Sequence, residues 1–324
     1  MLFRSTIECT GDNGVIIGRI NSAVFTGDNA ALRASKSNGT GNAGRLQVYN
    51  SNFSEGTELR FENGARLSTT RGVRYENFDN SKGTLSTVFD GGIFEVNAST
   101  AEQNCRSRMA QPQKQGFTVE NGGLEIDIAE GVNHYITFPI RGTGDVVKTG
   151  AGTLYLTDSY DLDPASTEKL LQYTGGTVVS NGTLVVDGSL VADGAKSFEV
   201  AEGAILDLNE TTLEGATIAG AGVVTNGTLS AATIAYDEDA LPTFSDVVFS
   251  GTLFVDFGKT DENPLDKDDA KTGIRVAHYT GEAPANLMVK ALNTGIPRVR
   301  ADVSCVDGDI VVTAVQSGFS VIIR

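Results

Sequence analysis

The sequence predicts an all-β protein, a parallel β-helix (β-solenoid) closed by a β-rich C-terminal cap. Glycine is abundant, at 38 of 324 residues, whereas proline is rare, at 7, which suits many tight turns better than a linker or collagen. Short runs alternate apolar and polar residues, as expected for strands with one buried face. Two short motifs, Gly-Thr-Leu and Asn-Gly, recur along the chain and indicate internal repeats.

The predicted strands are the runs in which every second residue is apolar, bounded by glycine or Asn-Gly. The clearest runs are Leu59–Phe61, Leu124–Ile128, Leu154–Leu156, Leu184–Val186, Leu206–Leu208 and Leu253–Phe257. Helical periodicity is nearly absent from the chain, so the class is all-β.

The repeats favour a solenoid over other all-β folds. Gly-Thr-Leu begins at Gly83, Gly152, Gly182, Gly227 and Gly251. Asn-Gly begins at Asn13, Asn38, Asn63, Asn121, Asn181 and Asn226. A coil of about 20 residues holds three short strands, and similar units in succession bury their apolar residues against one another. Asn-Gly is also a hairpin signal, so an antiparallel sandwich array is the alternative.

We predict solenoid repeats over residues 6–235 and a β-rich cap over residues 236–324. Two segments interrupt the repeats: residues 98–116, a polar irregular coil or loop, and residues 161–172, an insertion. The insertion is predicted to hold one helical turn, with Asp163 as N-cap and Pro164 at the first helical position. Within the cap, the acidic run Asp261–Asp269 is predicted to be an exposed loop.

The net charge of −16 disfavours binding to nucleic acid and to anionic lipid surfaces. The three cysteines, Cys9, Cys105 and Cys305, are far apart and odd in number, which indicates neither a zinc site nor a disulfide framework. No apolar run reaches the length of about 18 residues that a membrane-spanning helix needs. No apolar signal region follows Met1, which leaves two explanations: the protein is cytoplasmic, or its true N terminus is missing. We expect the N terminus to be truncated and its secretory signal to be missing.

The stretch from Gly142 to Leu156, Gly-Thr-Gly-Asp-Val-Val-Lys-Thr-Gly-Ala-Gly-Thr-Leu-Tyr-Leu, resembles the autotransporter-associated β-strand repeat. A second part of that repeat is matched by Thr174–Val186, after an insertion that the family usually lacks. The resemblance covers roughly Phe117–Phe257. It implies a β-helical passenger of a bacterial surface or exported protein, with an extracellular or cell-surface location and no catalytic activity.

Groups that could carry chemistry all have a plainer structural interpretation. Asp268 and Asp269 are expected in the solvated loop, and Asp307 and Asp309 in a tight turn. His134 and His278 are expected at strand edges, where no serine or cysteine partner stands at a recognisable spacing.

Arg106 and Arg108 flank a serine and could bind an anionic sugar, although a surface loop is the preferred interpretation. The glycines from Gly142 to Gly152 are followed by a strand rather than a helix, so they are interpreted as turn residues and not as a phosphate-binding loop. No catalytic, cofactor-binding or metal-ligating residue is predicted, and no cofactor.

We therefore expect a secreted or surface-displayed structural or adhesive module without catalysis. The expected partner is a surface glycan or a protein of a host or neighbouring cell, and the expected state is a monomer. The alternatives are a carbohydrate-active β-helix, either a polysaccharide lyase or a glycoside hydrolase, and an accessory glycan-binding stalk of a larger enzyme. A carbohydrate-active site would require three or more carboxylates converging in a groove on one face.

Overall fold

The computed structural model describes residues 1–9, 15–17, 22–34, 45–49, 57–76, 85–97, 104–109, 116–157, 169–285 and 287–316. The predicted all-β class is confirmed: the described residues form long, mostly parallel sheets and a single short α-helix. The chain divides into two compact units, Met1–Ser197 and Phe198–Arg324. Among these residues, no helix is long and apolar enough to cross a membrane.

The N-terminal unit contains three parallel sheets, each built from every third strand along the chain. The first sheet has the order β1 (Leu2–Phe3), β4 (Ala23–Thr26), β7 (Thr57–Glu62), β10 (Leu85–Asp90), β13 (Phe117–Val119), β16 (Ile140–Gly142) and β19 (Leu171–Tyr173). The second has the order β2 (Thr6–Cys9), β5 (Ala31–Ala34), β8 (Arg66–Thr69), β11 (Gly92–Val96), β14 (Leu124–Ile128), β17 (Val146–Thr149) and β20 (Thr177–Val179). The third has the order β3 (Val15–Ile17), β6 (Leu46–Tyr49), β9 (Val73–Glu76), β12 (Asn104–Met109), β15 (Asn133–Ile136), β18 (Thr153–Leu156) and β21 (Thr183–Val186).

The spacing between paired strands varies along this unit. Phe117 pairs with Ile140, close to the predicted coil of about 20 residues. Ala23, in contrast, pairs with Leu59, so the coil between them is much longer. Insertions between strands therefore change the length of a coil without changing the strand order.

The core of this unit contains more aromatic residues than its composition predicts. Aromatic residues are only 7% of the chain, a content that favours a mainly aliphatic core. In the first sheet, however, the rings of Phe25, Phe61 and Phe89 are buried and stacked, with centroids 5.2 and 5.5 Å apart. Stacking occurs because parallel pairing places the same position of successive strands side by side.

The C-terminal unit contains two sheets that are parallel over most of their strands. One has the order β22 (Ser197–Val200), β25 (Thr217–Ala219), β27 (Thr233–Ala235), β29 (Thr252–Lys259) and β31 (Met288–Thr294). The other has the order β23 (Ile205–Asp207), β26 (Val223–Ser230), β28 (Thr243–Ser250), β30 (Ile274–Thr280), β33 (Asp309–Gln316) and β32 (Val299–Val306), with β24 (Thr212–Glu214) also paired to β26. The antiparallel pairs are β30 with β33 and β32 with β33. Parallel pairing thus continues beyond residue 235, where the cap was predicted to begin.

Two predicted loops contain regular structure instead. Residues 104–109 of the predicted irregular segment form β12, which pairs in parallel with β15 and β9. The acidic run Asp261–Asp269 leads into helix α1 (Lys267–Thr272), because Asp266 is its N-cap and accepts hydrogen bonds from the amides of Asp268 and Asp269. Charge alone had suggested a loop, whereas the capping bonds favour a helical turn.

The predicted insertion and the Asn-Gly steps have mixed outcomes. The proposed helical turn at Asp163 lies outside the described residues, and the end of the insertion belongs to β19. Asn63-Gly64 adopts positive φ at both residues, as a tight turn requires. Asn226, with φ of 58°, instead bends β26 in mid-strand, and the two halves of β26 pair with β23 and β24.

Candidate functional site

Three carboxylates from two neighbouring strands converge on the outer face of the second sheet. Glu125 and Asp127 lie two residues apart on β14, and Asp127 is the register partner of Glu95 on β11. We call Glu95, Glu125 and Asp127 the carboxylate cluster. The cluster supplies the three carboxylates on one face that a carbohydrate-active groove would require, and sequence alone could not have identified it because its members belong to different repeats.

Neighbouring groups hold the cluster together and set its charge. Arg66 forms an ion pair with Glu95 at 3.6 Å, and the Thr149 hydroxyl donates a 2.9 Å hydrogen bond to Glu125. Burial, followed by the charges of Glu95 and Glu125, raises the pKa of Asp127 above its ordinary value. A raised pKa favours the protonated form of a carboxyl group, which is the form that a general acid needs.

Gly150 leaves the space that the cluster needs. A Cβ atom at this position would lie 2.4 Å from the Asp127 Oδ1 and 2.2 Å from the Ile128 carbonyl oxygen. Its φ of 69° is also unfavourable for other residues. The turn glycines predicted from Gly142 to Gly152 are thus explained by close backbone approach, and a strand follows them as predicted.

The cluster is not arranged to hold a metal ion. Over the described part of the chain, no group of three or more His, Cys, Asp or Glu side chains has a suitable arrangement.

A serine–histidine pair exists, but it is sealed inside the core. The Nε2 of His134 lies 3.0 Å from the Ser107 Oγ, and that oxygen also accepts the Val73 amide at 2.9 Å. Ser107 and His134 are completely buried, and burial lowers the pKa of His134 to about 3. The sequence offers no serine or cysteine partner of His134 at a recognisable spacing, and Ser107, its partner in the structure, lies 27 residues away on the neighbouring strand β12. No substrate can reach this pair, so it acts as a structural contact.

Lys148 points into the core, at a position that other strands of the second sheet fill with apolar residues. Its register neighbours are Ile126 on β14 and Val179 on β20. Its Nζ donates hydrogen bonds to the carbonyl oxygens of Thr149, Gly150 and Asn181 at 2.6, 2.8 and 3.1 Å. Burial lowers the pKa of this amine to about 8. Lys148 thus binds the turns of two successive strands together.

The remaining histidine belongs to the C-terminal unit. His278 on β30 contacts Asp309 through its Nδ1 at 2.7 Å, and Arg275 lies 3.6 Å from the same carboxylate. Asp307 and Gly308, both with positive φ, form the tight turn between β32 and β33, as predicted. Asp309 follows that turn as the first residue of β33. The contact between His278 and Asp309 therefore holds the β32–β33 hairpin against β30.

The other candidate residues are not brought into a site. Asp268 and Asp269 lie in the first turn of α1, where their charge favours the helix N-terminus. Cys305 is a partly exposed free thiol on β32. The side chains of Cys9, Cys105, Arg106 and Arg108 lie outside the described residues.

An ion-pair network on the first sheet has no counterpart in the sequence-based predictions. Arg60 on β7 contacts Glu62 at 3.2 Å and Asp90 at 3.0 Å, and it also bonds to Glu120. These carboxylates raise the pKa of Arg60 further above its ordinary value. The network links three successive repeats, so its role is to stabilise their stacking.

No family model matches the chain, and comparison with curated proteins and with solved structures gives no significant match.

Proposed function

We propose that the chain is a non-catalytic display module of the cell surface, folded as a β-solenoid of the autotransporter-associated repeat type. The observation that carries this proposal is the strand order of the N-terminal unit, in which each strand pairs in parallel with the third strand after it. A chain that winds through three sheets in turn produces this order, and an antiparallel sandwich does not.

The same strand order provides a rigid scaffold. Seven strands at a spacing of about 4.8 Å give each sheet of the N-terminal unit a height of roughly 30 Å. The register between β4 and β7 shows that a coil can be lengthened without disturbing the pairing, and we propose that such insertions carry the recognition function. The partner that we propose for them is a surface glycan or a surface protein.

The location is tested on intact cells that produce the protein. An antibody against the folded chain is expected to label unpermeabilised cells, and added protease is expected to remove the label. Labelling that requires permeabilisation would contradict the proposal. Absence of catalysis is tested separately, by incubating the purified chain with acidic and neutral polysaccharides and measuring reducing ends and unsaturated products.

The carboxylate cluster supports a second candidate function, a glycoside hydrolase or polysaccharide lyase. Here Asp127, with its raised pKa, is the proton donor. If a polysaccharide is cleaved, Asp127→Asn is expected to lower the rate at least about 100-fold, as loss of a general acid does. The matched control is Glu130→Gln, an exposed carboxylate in the turn after β14. Equal rates in both variants would exclude the cluster as the active site.

A further inference from the structure

The C-terminal unit has a cavity of about 560 Å³ beside helix α1. It lies between the residues that follow β27, the end of β29, the segment before α1 and the start of β30. A cavity of this size is in the range of small-molecule sites, which is roughly 300–1,000 Å³. Neither the carboxylate cluster nor the proposed display function involves this cavity.

Aromatic and aliphatic side chains form the apolar part of the cavity wall. The rings of Tyr236 and Phe257 meet with centroids 5.0 Å apart and planes inclined by 53°. Phe257, Leu265 and Ile274 are buried, so they form the wall from the protein core. Tyr236 is half-buried and therefore presents part of its ring to an occupant.

The polar part of the wall is strongly acidic. Four carboxylates and one amine line the cavity: Asp237, Glu238, Asp266, Asp269 and Lys259. The carboxylates of Asp237 and Asp266 accept backbone amide hydrogen bonds, from Asp239 and from the first turn of α1. Glu238 and Asp269 have no ion-pair partner within the described residues, which leaves their charge for an occupant.

The electrostatics of Tyr236 agree with a negative charge beside the aromatic wall. Burial raises the pKa of the Tyr236 hydroxyl, the charges of Glu238, Asp237 and Asp269 raise it further, and the charge of Arg275 partly opposes them. A cation over the ring would be attracted both by these carboxylates and by the negative face of the ring.

We propose that this cavity binds an organic cation, a guanidinium or ammonium group on an aliphatic stem, presented as the arginine or lysine side chain of a partner polypeptide. The aliphatic stem would lie along the apolar wall while the charged group meets Glu238 and Asp269. A metal ion suits the cavity less well, because the described carboxylates do not form a metal-binding group. The acidic surface would also accelerate encounter with a basic partner.

Binding is measured by isothermal titration calorimetry on the full chain with N-acetyl-arginine methylamide as the probe. The neutral isostere N-acetyl-citrulline methylamide is the control for charge. The arginine probe is expected to bind with a Kd of about 0.1–1 mM at low salt and to weaken as salt is added. The citrulline probe is expected to bind at least about tenfold more weakly.

Two variants test the location of the site. Glu238→Gln combined with Asp269→Asn is expected to weaken the arginine probe at least about tenfold, and Tyr236→Leu about two- to fivefold. The control combines Glu202→Gln with Glu214→Gln, two exposed carboxylates outside the cavity that give the same change in net charge. Melting temperatures verify that all variants are folded.

A further pair of probes, N-acetyl-lysine methylamide and n-butylamine, distinguishes side chains of a polypeptide from free amines, because the two share one ammonium stem and differ in the peptide groups. Tighter binding of N-acetyl-lysine methylamide than of n-butylamine supports a polypeptide partner, whereas the reverse order assigns the cavity to small amines and overturns the partner. Equal binding of arginine and citrulline probes, or equal loss in the control variant, overturns the cation site itself. Neither result bears on surface display, which the labelling of intact cells tests independently.

Discussion

The first and second sheets of the N-terminal unit are both built from every third strand in parallel, but different residues occupy their inward positions. The first sheet repeats phenylalanine on successive strands, at Phe25, Phe61 and Phe89. The second sheet has Ile126 on one strand and Lys148 at the register position on the next. The difference indicates that a polar residue is tolerated at an inward position when its polar atoms reach backbone carbonyl oxygens at the turns.

The third sheet extends this comparison. His134 occupies an inward position that the two following strands fill with Leu154 and Leu184. Its Nε2 has Ser107 as a partner, but its buried Nδ1 has no hydrogen bond to the described residues. His134 is thus less well satisfied than Lys148, and protonating it in the core should be costly.

The largest expected effect is the acid sensitivity that His134 causes. Its folded pKa of about 3 is below the unfolded value of 6.5, so the unfolded state binds more protons between these values. Stability is therefore lost as the pH falls from 6.5 towards 3, by up to about 5 kcal/mol. Urea unfolding of wild type and His134→Leu across this range measures the contribution.

The control for the histidine experiment is Leu154→Val at the register neighbour of His134, which changes the core without removing a titratable group. His134→Leu should flatten the dependence of stability on pH, and Leu154→Val should leave the shape of that dependence unchanged. Parallel curves for wild type and His134→Leu would show that His134 is not neutral and buried.

The next effect tests the phenylalanine stack. Phe61→Ala removes a ring that is packed between two others, and we expect a loss of about 3–5 kcal/mol in the free energy of unfolding. Val147→Ala, on the outer face of the second sheet, should cost less than about 1 kcal/mol. Circular dichroism during urea unfolding measures both, and similar costs would contradict the assignment of inward and outward faces.

A smaller effect of the same sign in pH, but in an alkaline window, is expected for Lys148. Its folded pKa of about 8 is below the ordinary 10.5, so the unfolded state again binds more protons between these values. Stability should rise with pH across this window, by up to about 3 kcal/mol, as the cost of burying the charge is relieved. Lys148→Met should lack this rise, and the exposed Lys290→Met should retain it; a rise that persists in Lys148→Met would contradict the argument.

The alternation in the sequence predicted strands well because period-2 patterns depend only on neighbouring residues. Leu124–Ile128, for example, is a strand whose first, third and fifth residues are buried. The residue at which each repeat ends was harder to predict. Coils differ in length, and Asn226 bends a strand rather than ending it.

The polar core and the carboxylate cluster could not be predicted because both depend on register between distant residues. The sequence does hint that Lys148 points inward. It stands two residues after Val146, on the same face of the strand, and just before the glycine turn whose carbonyl oxygens it contacts. Glu95 and Asp127 have none, since nothing in the sequence indicates that they are partners. The sequence did not predict helix α1, because the acidic charge around Asp266 favoured a loop over the helix that Asp266 caps.

The most direct test of the parallel three-sheet order is a set of distances along one outward ladder. Successive strands of the second sheet place Arg66, Ile93, Glu125, Val147 and Val178 in register. Spin labels on cysteines at these positions, in a chain whose native cysteines are replaced by serine, give the distances by electron paramagnetic resonance. Backbone separations of about 10 Å for Arg66–Glu125 and about 19 Å for Arg66–Val178 are predicted from a spacing of about 4.8 Å per strand. Distances that do not increase with strand order would contradict the parallel arrangement and, with it, the solenoid proposal.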